Sequence, residues 1–226
     1  MNRKVLSLLL LCTLLSCNKI DAPYRINGIV ENIADGQTIT IATSPDGILL
    51  KEEDYSVVKD GKIHFEGSVD GCKVAYICRG SANDKQHPSM FFIEKGEIRI
   101  FIDNDCCRVT GTPINELRNI IEDTITHYVA NLKKTEEQYY SQTLNDEELA
   151  RLSADGLKMQ ENLVSYLRKE IKENIGNILG LYLLVVYNDF FTPDELNSLI
   201  EEIPYSSIDR ENNPFYDTIM EIAKEQ

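Results

Sequence analysis

The hydrophobic pattern changes its period once, at Thr112-Pro113, and that change limits the chain to strands followed by helices. From Tyr24 to about Thr110 apolar residues alternate with polar ones. Ile63 and Phe65 alternate with Lys62, His64 and Glu66; Val74, Tyr76 and Cys78 with Lys73, Ala75 and Ile77; Ile98, Ile100 and Ile102 with Glu97, Arg99 and Asp103. A period of two with one polar face predicts half-buried antiparallel strands. Asp35-Gly36, Pro45-Asp46-Gly47, Asp60-Gly61, Asp70-Gly71 and Lys95-Gly96 punctuate them as tight turns, because Gly and Asp tolerate positive φ. Seven or eight short strands are expected, in a sandwich or open barrel.

After Thr112, an N-cap candidate ahead of a Pro suited to the first helical turn, Leu117, Ile121, Ile125, Tyr128 and Leu132 recur every three to four residues. Asn145 with Glu148 predicts a capping box for a second helix striped by Leu149, Leu152, Met159, Leu163, Leu167 and Ile171. Ile178 to Tyr187 is apolar nearly all round. It is too short to span a bilayer and reads as a buried helix. Thr192-Pro193-Asp194-Glu195 opens a short helix through Ile203, and a last helix runs from about Pro214 to Lys224. The expected class is α+β, with an antiparallel β domain over 24–111 and a helical bundle over 112–226. Strands that precede helices in this way do not form βαβ units.

The first residues read as targeting rather than fold. Arg3 and Lys4 precede the apolar run Val5 to Leu15, and Leu14-Leu15-Ser16-Cys17 resembles the lipobox of bacterial lipoproteins. Residues 1–16 are therefore expected to be a signal peptide, Cys17 the lipidated residue and 17–23 a tether. The resemblance implies a diacylglycerol thioether and an acylated amine at Cys17, and several acyl chains attach a protein stably to a membrane. No acidic run follows Cys17. This favours an outer-membrane protein facing the periplasm over a surface-exposed one.

Charge narrows the partners. Asp and Glu number 37 against 23 Lys and Arg, a formal net charge of −14. Loss of Arg3 and Lys4 with the signal makes it more negative still. Such a chain repels phosphate backbones, so no nucleic-acid partner is expected, and membrane contact is assigned to the lipid rather than to a basic patch.

Four segments together resemble a known family. They are Ile26-Asn27-Gly28-Ile29, Asp60-Gly61-Lys62-Ile63-His64-Phe65-Glu66-Gly67, Phe91-Phe92-Ile93-Glu94-Lys95-Gly96 and Val109-Thr110-Gly111-Thr112-Pro113-Ile114-Asn115. The stretch 24–116 resembles domain of unknown function 4369, which precedes thioredoxin-like domains of the AhpC/TSA type in lipoproteins of anaerobic Gram-negative bacteria. The helical part resembles the connector that follows in that family. The resemblance implies a link to envelope redox pathways and a thioredoxin-like partner. The redox pair of the longer members has no counterpart here, because the chain has no Trp and no C-x-x-C.

The reactive residues support little chemistry. Cys72 and Cys78 lie on one face of one strand, about 20 Å apart if it is straight, too far for a disulfide. Cys106 and Cys107 are adjacent, which would strain one. A bridge between the two pairs, or a redox role for Cys72, Cys78, Cys106 or Cys107 aided by Arg79 and Arg108, stays open. His64, His87 and His127 stand at no metal-binding spacing. Glu52-Glu53-Asp54 and Asp146-Glu147-Glu148 read as a solvated loop and a helix start. Tyr139-Tyr140 and Phe190-Phe191 read as caps of a helical core, with a sugar or peptide groove as the alternative. The expected function is a non-catalytic binding or docking module without metal or cofactor. The alternatives are a thiol-disulfide accessory protein and a surface glycan- or peptide-binding lipoprotein.

Overall fold

The computed structural model describes residues 22–44, 49–80, 88–103, 106–141, 144–204 and 213–225. The expected signal peptide, Cys17 and most of the expected tether lie outside them, as do the turn at Pro45-Asp46-Gly47 and His87. Eight strands come first: β1 (Ala22–Val30), β2 (Thr38–Thr43), β3 (Lys51–Val57), β4 (Lys62–Val69), β5 (Cys72–Arg79), β6 (Ser89–Glu94), β7 (Gly96–Ile102) and β8 (Cys107–Thr110). Five helices follow: α1 (Pro113–Tyr139), α2 (Asp146–Asn174), α3 (Ile178–Val186), α4 (Pro193–Glu201) and α5 (Phe215–Glu225), with a 3-10 turn at Asn188–Phe190. The class is α+β, and among the described residues there are two four-stranded sheets and no closed barrel.

Sheet A has the order β4-β1-β7-β8 and sheet B the order β3-β2-β5-β6. Ile26, Ile63, Phe65, Ile98 and Ile100 from sheet A meet Ile39, Ile41, Ala75, Ile77 and Phe91 from sheet B in one buried core. The alternation therefore reports a sandwich interior. One pairing departs from the antiparallel expectation, since β1 runs parallel to β7. The reason lies at Lys95-Gly96. Gly96 at φ 115° turns the chain out of β6 in sheet B and into β7 in sheet A, alongside β1. Asp35-Gly36, Asp60-Gly61 and Asp70-Gly71 are likewise corners between sheets, not hairpins within one. Asp60 (φ 50°) and Gly61 (φ 66°) still form a tight two-residue turn, closed by mutual Lys59–Lys62 backbone bonds, before β3 and β4 part company.

Sheet B is covered on its outer face as well. Val74 and Phe92 join Ile121, Leu163, Leu167, Ile171, Leu183 and their neighbours in a second core between sheet B and the helices. Strand β5 is thus buried on both faces, against the half-buried expectation: its apolar series, through Val74, packs under the helices, while Ala75 and Ile77, in the series read as polar, face the sandwich core. Adjacent Phe91 and Phe92 divide between the two cores, and both are fully buried.

The helix starts follow the sequence closely. Asn145 and Glu148 form the capping box, as do Thr192 and Glu195. Helix α3 is buried from Ile178 to Leu184, with its first turn capped by Asn177, and comes to the surface at Val186. Burial in α1 and α2 is confined to one end of the pair, at Asn115, Ile121 and Ile125 of α1 and beyond Leu163 in α2. At the other end Tyr139 and Tyr140 stack edge-on and lie exposed, contrary to the core expectation. Phe191 is in the core as expected, whereas Phe190 is exposed, contrary to the core expectation, and packs edge-on against Tyr187.

Candidate functional site

The motif residues assemble a joint between the sandwich and α1. Thr112 precedes α1 with extended backbone, but its hydroxyl caps no helical N–H. Glu94, at the end of β6, supplies that cap instead by accepting from the Ile114 N–H (3.0 Å). Asn115 is 1% exposed and fully engaged. Its amide donates to the Phe92 carbonyl (2.7 Å) and the Thr112 hydroxyl (2.8 Å), and its Oδ1 accepts from the Phe92 N–H (3.1 Å). An edge strand presents unpaired backbone groups. Here α1 satisfies them on β6 through Asn115 and through Arg118, which donates to the Met90 carbonyl (2.6 Å). On β8 the amide of Asn119 donates to the Val109 carbonyl (2.7 Å).

The joint continues inward. Arg118 pairs with Glu122 (2.8 Å) and lies 5.3 Å from the ring centre of Tyr182, whose hydroxyl donates to Glu122 (2.7 Å). The glycines of the motifs have equally local reasons. A Cβ at Gly67 would strike the Tyr24 hydroxyl at 2.7 Å, and one at Gly28 would strike the Ile63 side chain at 2.4 Å. Two of the four motif segments thus serve this joint directly, and the glycines of the other two permit close packing within sheet A.

Residues 24–117 match the sequence profile of a domain of unknown function, DUF4369. This stretch is a DUF4369 domain. The match ends at Leu117, inside the first turns of α1 and just past the Asn115 joint, so the DUF4369 domain includes the anchor of the helix that closes it. No curated protein matches the chain.

The four thiols of the described residues are unpaired and do not converge. Cys72 packs on the helix-side core, Cys107 on the sandwich core and Cys78 with Ala42, while Cys106 is exposed. Burial, reinforced by Glu94, pushes the Cys72 thiol up to about 12. Burial pushes Cys107 up to about 11, although a Ser89 hydrogen bond and the charges of Arg118 and Arg79 pull the other way. Cys78 is raised for the same reason, with Glu52 adding to it. These environments oppose the thiolate that redox chemistry requires.

A pH dependence follows. In the unfolded chain the Cys72 and Cys107 thiols ionise near their ordinary value of 9.0, and in the folded chain only near 12 and 11. The folded state therefore holds protons that the unfolded state releases. Stability should be flat below about pH 9 and fall as pH rises above it, by on the order of 2 kcal/mol by pH 10. Urea unfolding at pH 8, 9 and 10 measures this. The double substitution Cys72→Ala, Cys107→Ala should flatten the fall over that range; an unchanged slope would refute the assignment. Tyr182, raised chiefly by burial, adds to the loss at higher pH.

No group of three or more His, Cys, Asp or Glu among the described residues could hold a metal ion. His64 is a surface residue whose Nδ1 lies 2.9 Å from Asn27 Oδ1, and His127 is exposed on α1 beside Asn131. Glu52, Glu53 and Asp54 lie on strand β3 rather than in a loop. Glu53 accepts from the Thr43 hydroxyl (2.8 Å) and pairs with Lys73. Asp146, Glu147 and Glu148 occupy the first turn of α2 as expected.

Among the clefts formed by the described residues, two expose several large apolar side chains on an outer surface. One is the cleft between the exposed ends of α1 and α2, about 590 Å³, lined by Val129, Tyr139, Tyr140 and Leu157. The other is a cleft of about 630 Å³ on the outer face of sheet A. Register builds its floor in two rows. Lys62, Ile29, Phe101 and Arg108 lie side by side across β4, β1, β7 and β8, and His64, Asn27, Arg99 and Thr110 form the adjacent row. Val57 and Lys59 wall one side. Inspection of the sequence leaves this site unrecognised, because each of its cations sits on what looks like an ordinary polar face.

Proposed function

We propose that the protein is a lipid-anchored module of the cell envelope that binds or docks a partner and carries out no reaction. The observation that carries this reading is the outer face of sheet A, where apolar side chains lie in the open among cations. An exposed apolar patch rimmed by polar groups marks an interaction site. Full burial of Cys78 and partial burial of Cys72 and Cys107, which raise all three thiols, support a binding role over a redox one.

In this reading Cys17 carries the lipid, the β domain follows on a short tether, and the protein faces the periplasm from the outer membrane. The Cys17→Ala variant should be released from the membrane fraction into the soluble periplasm, and the wild type should carry an acyl mass on its N-terminal fragment. The wild type should also resist protease added to intact cells. Retention of Cys17→Ala in washed membranes, with no acyl mass on the wild type, would overturn the anchor. Cleavage in intact cells would overturn the periplasmic orientation.

A further inference from the structure

The sheet A cleft has a chemical character opposite to that of the molecule around it. In a chain of net charge −14, four cations (Lys59, Lys62, Arg99 and Arg108) border one opening. Arg108 is paired with Asp123 of α1 (2.9 Å). The other nearby acids are also committed: Glu97 binds Arg25 (3.0 Å) and Asn27 (3.2 Å), and Glu66 lies 3.7 Å from His64. No carboxylate among the described residues lies within 4.0 Å of Lys59, Lys62 or Arg99. Between these cations the floor is apolar and open. Ile29 is 55% exposed, Val57 50% and Phe101 36%.

The backbone narrows the occupant further. Strands β1 and β7 are interior to sheet A, paired on both sides, so the floor offers no free backbone groups to an added strand. Recognition here runs through side chains alone: apolar contact below and positive charge at the rim. The volume suits a small molecule rather than a folded partner.

We infer that this cleft binds a free amphipathic anion, an apolar chain or ring system bearing a phosphate or carboxylate head. The apolar body lies over Ile29, Phe101 and Val57, and the head meets Lys62 and Arg99. This names a ligand class for the binding role proposed above and rests on that reading.

Calorimetric titration of the purified chain tests it, with dodecyl phosphate, inorganic phosphate and dodecanol as probes at monomeric concentrations. Dodecyl phosphate should bind one to one, and the other two at least about tenfold more weakly, because each offers only half of the interaction. Lys62→Glu with Arg99→Glu should weaken dodecyl phosphate about tenfold and remove most of its salt dependence. Phe101→Asn should weaken it by a similar factor while leaving the salt dependence intact. Thermal melts establish that both variants fold. Equal binding by the variants, no binding of dodecyl phosphate, or binding only to phosphatidylglycerol vesicles would each overturn the inference. A photocrosslinker at position 101 that captures an envelope protein in cells, without amphiphile binding, would overturn the ligand class while the docking reading stands. The Cys17 experiment is independent of all these outcomes.

Discussion

Phe92→Ala should cost about 3–5 kcal/mol of stability, the range for emptying a fully buried phenylalanine site. The ring is 0% exposed and meets Tyr182 edge-on, with centroids 5.9 Å apart. It sits where the helices press on sheet B, and its own backbone is held by Asn115. The cavity cannot close easily, because the strand cannot shift without breaking those bonds. Urea unfolding followed by far-ultraviolet circular dichroism measures the loss, and a loss below about 1 kcal/mol would contradict this packing. The accompanying drop in Tm should be on the order of 10 °C for a chain of this size.

Gly111→Ala should be comparably damaging for a different reason. Gly111 has φ 97°, and a Cβ there would lie 2.3 Å from the backbone oxygen of Glu97. The backbone conformation alone costs about 1–3 kcal/mol for a residue with a side chain. The overlap adds to it, because the obstacle is the backbone of an interior strand and cannot swing aside. The expected total is at least about 3 kcal/mol. Gly36 provides the control. It too has positive φ, at 90°, but nothing lies within 4 Å of its added Cβ. Gly36→Ala should therefore lose only about 1 kcal/mol. Equal losses at the two positions in parallel urea melts would show that the contact with Glu97 has no role.

What the sequence discloses follows from how local each feature is. The strands, the helix starts at Asn145 and Thr192 and the buried run from Ile178 are local patterns, and the structure keeps them. The Asp-Gly pairs mark where the chain turns but not which sheet it enters next, since that depends on pairings formed across the sandwich. Strand β5 looks half-exposed because Lys73 marks the Ala75 and Ile77 series as polar, and only the packing of one sheet on the other buries that series, while the helices cover Val74 on the other face. Thr112 has the right residue type for a cap, yet the cap comes from Glu94, eighteen positions earlier.

The candidate site is the least legible part. Its two rows join β1 to β7, some seventy residues apart, by a parallel pairing that a purely antiparallel expectation omits. Lys62, Arg99 and Arg108 are unremarkable in separate strands. Only the order β4-β1-β7-β8 places them around Ile29 and Phe101.

The position of strand β3 at the border of sheet B bears on how copies of this protein meet. Two of the four outermost strands, β6 and β8, have backbone groups taken up by α1. Strand β3 lies at an open border of sheet B and carries Lys51, Glu52, Glu53 and Asp54, all exposed. Its pairing with β2 also slips between Ile41 and Ala42. A strand from a second copy would have to set its own acids against these and match an irregular register, which like-charge repulsion opposes. If the proposed lipid holds copies on one membrane, they would meet at high effective concentration, where edge-to-edge pairing is the standing hazard. Three consecutive carboxylates on β3 oppose that encounter by like-charge repulsion.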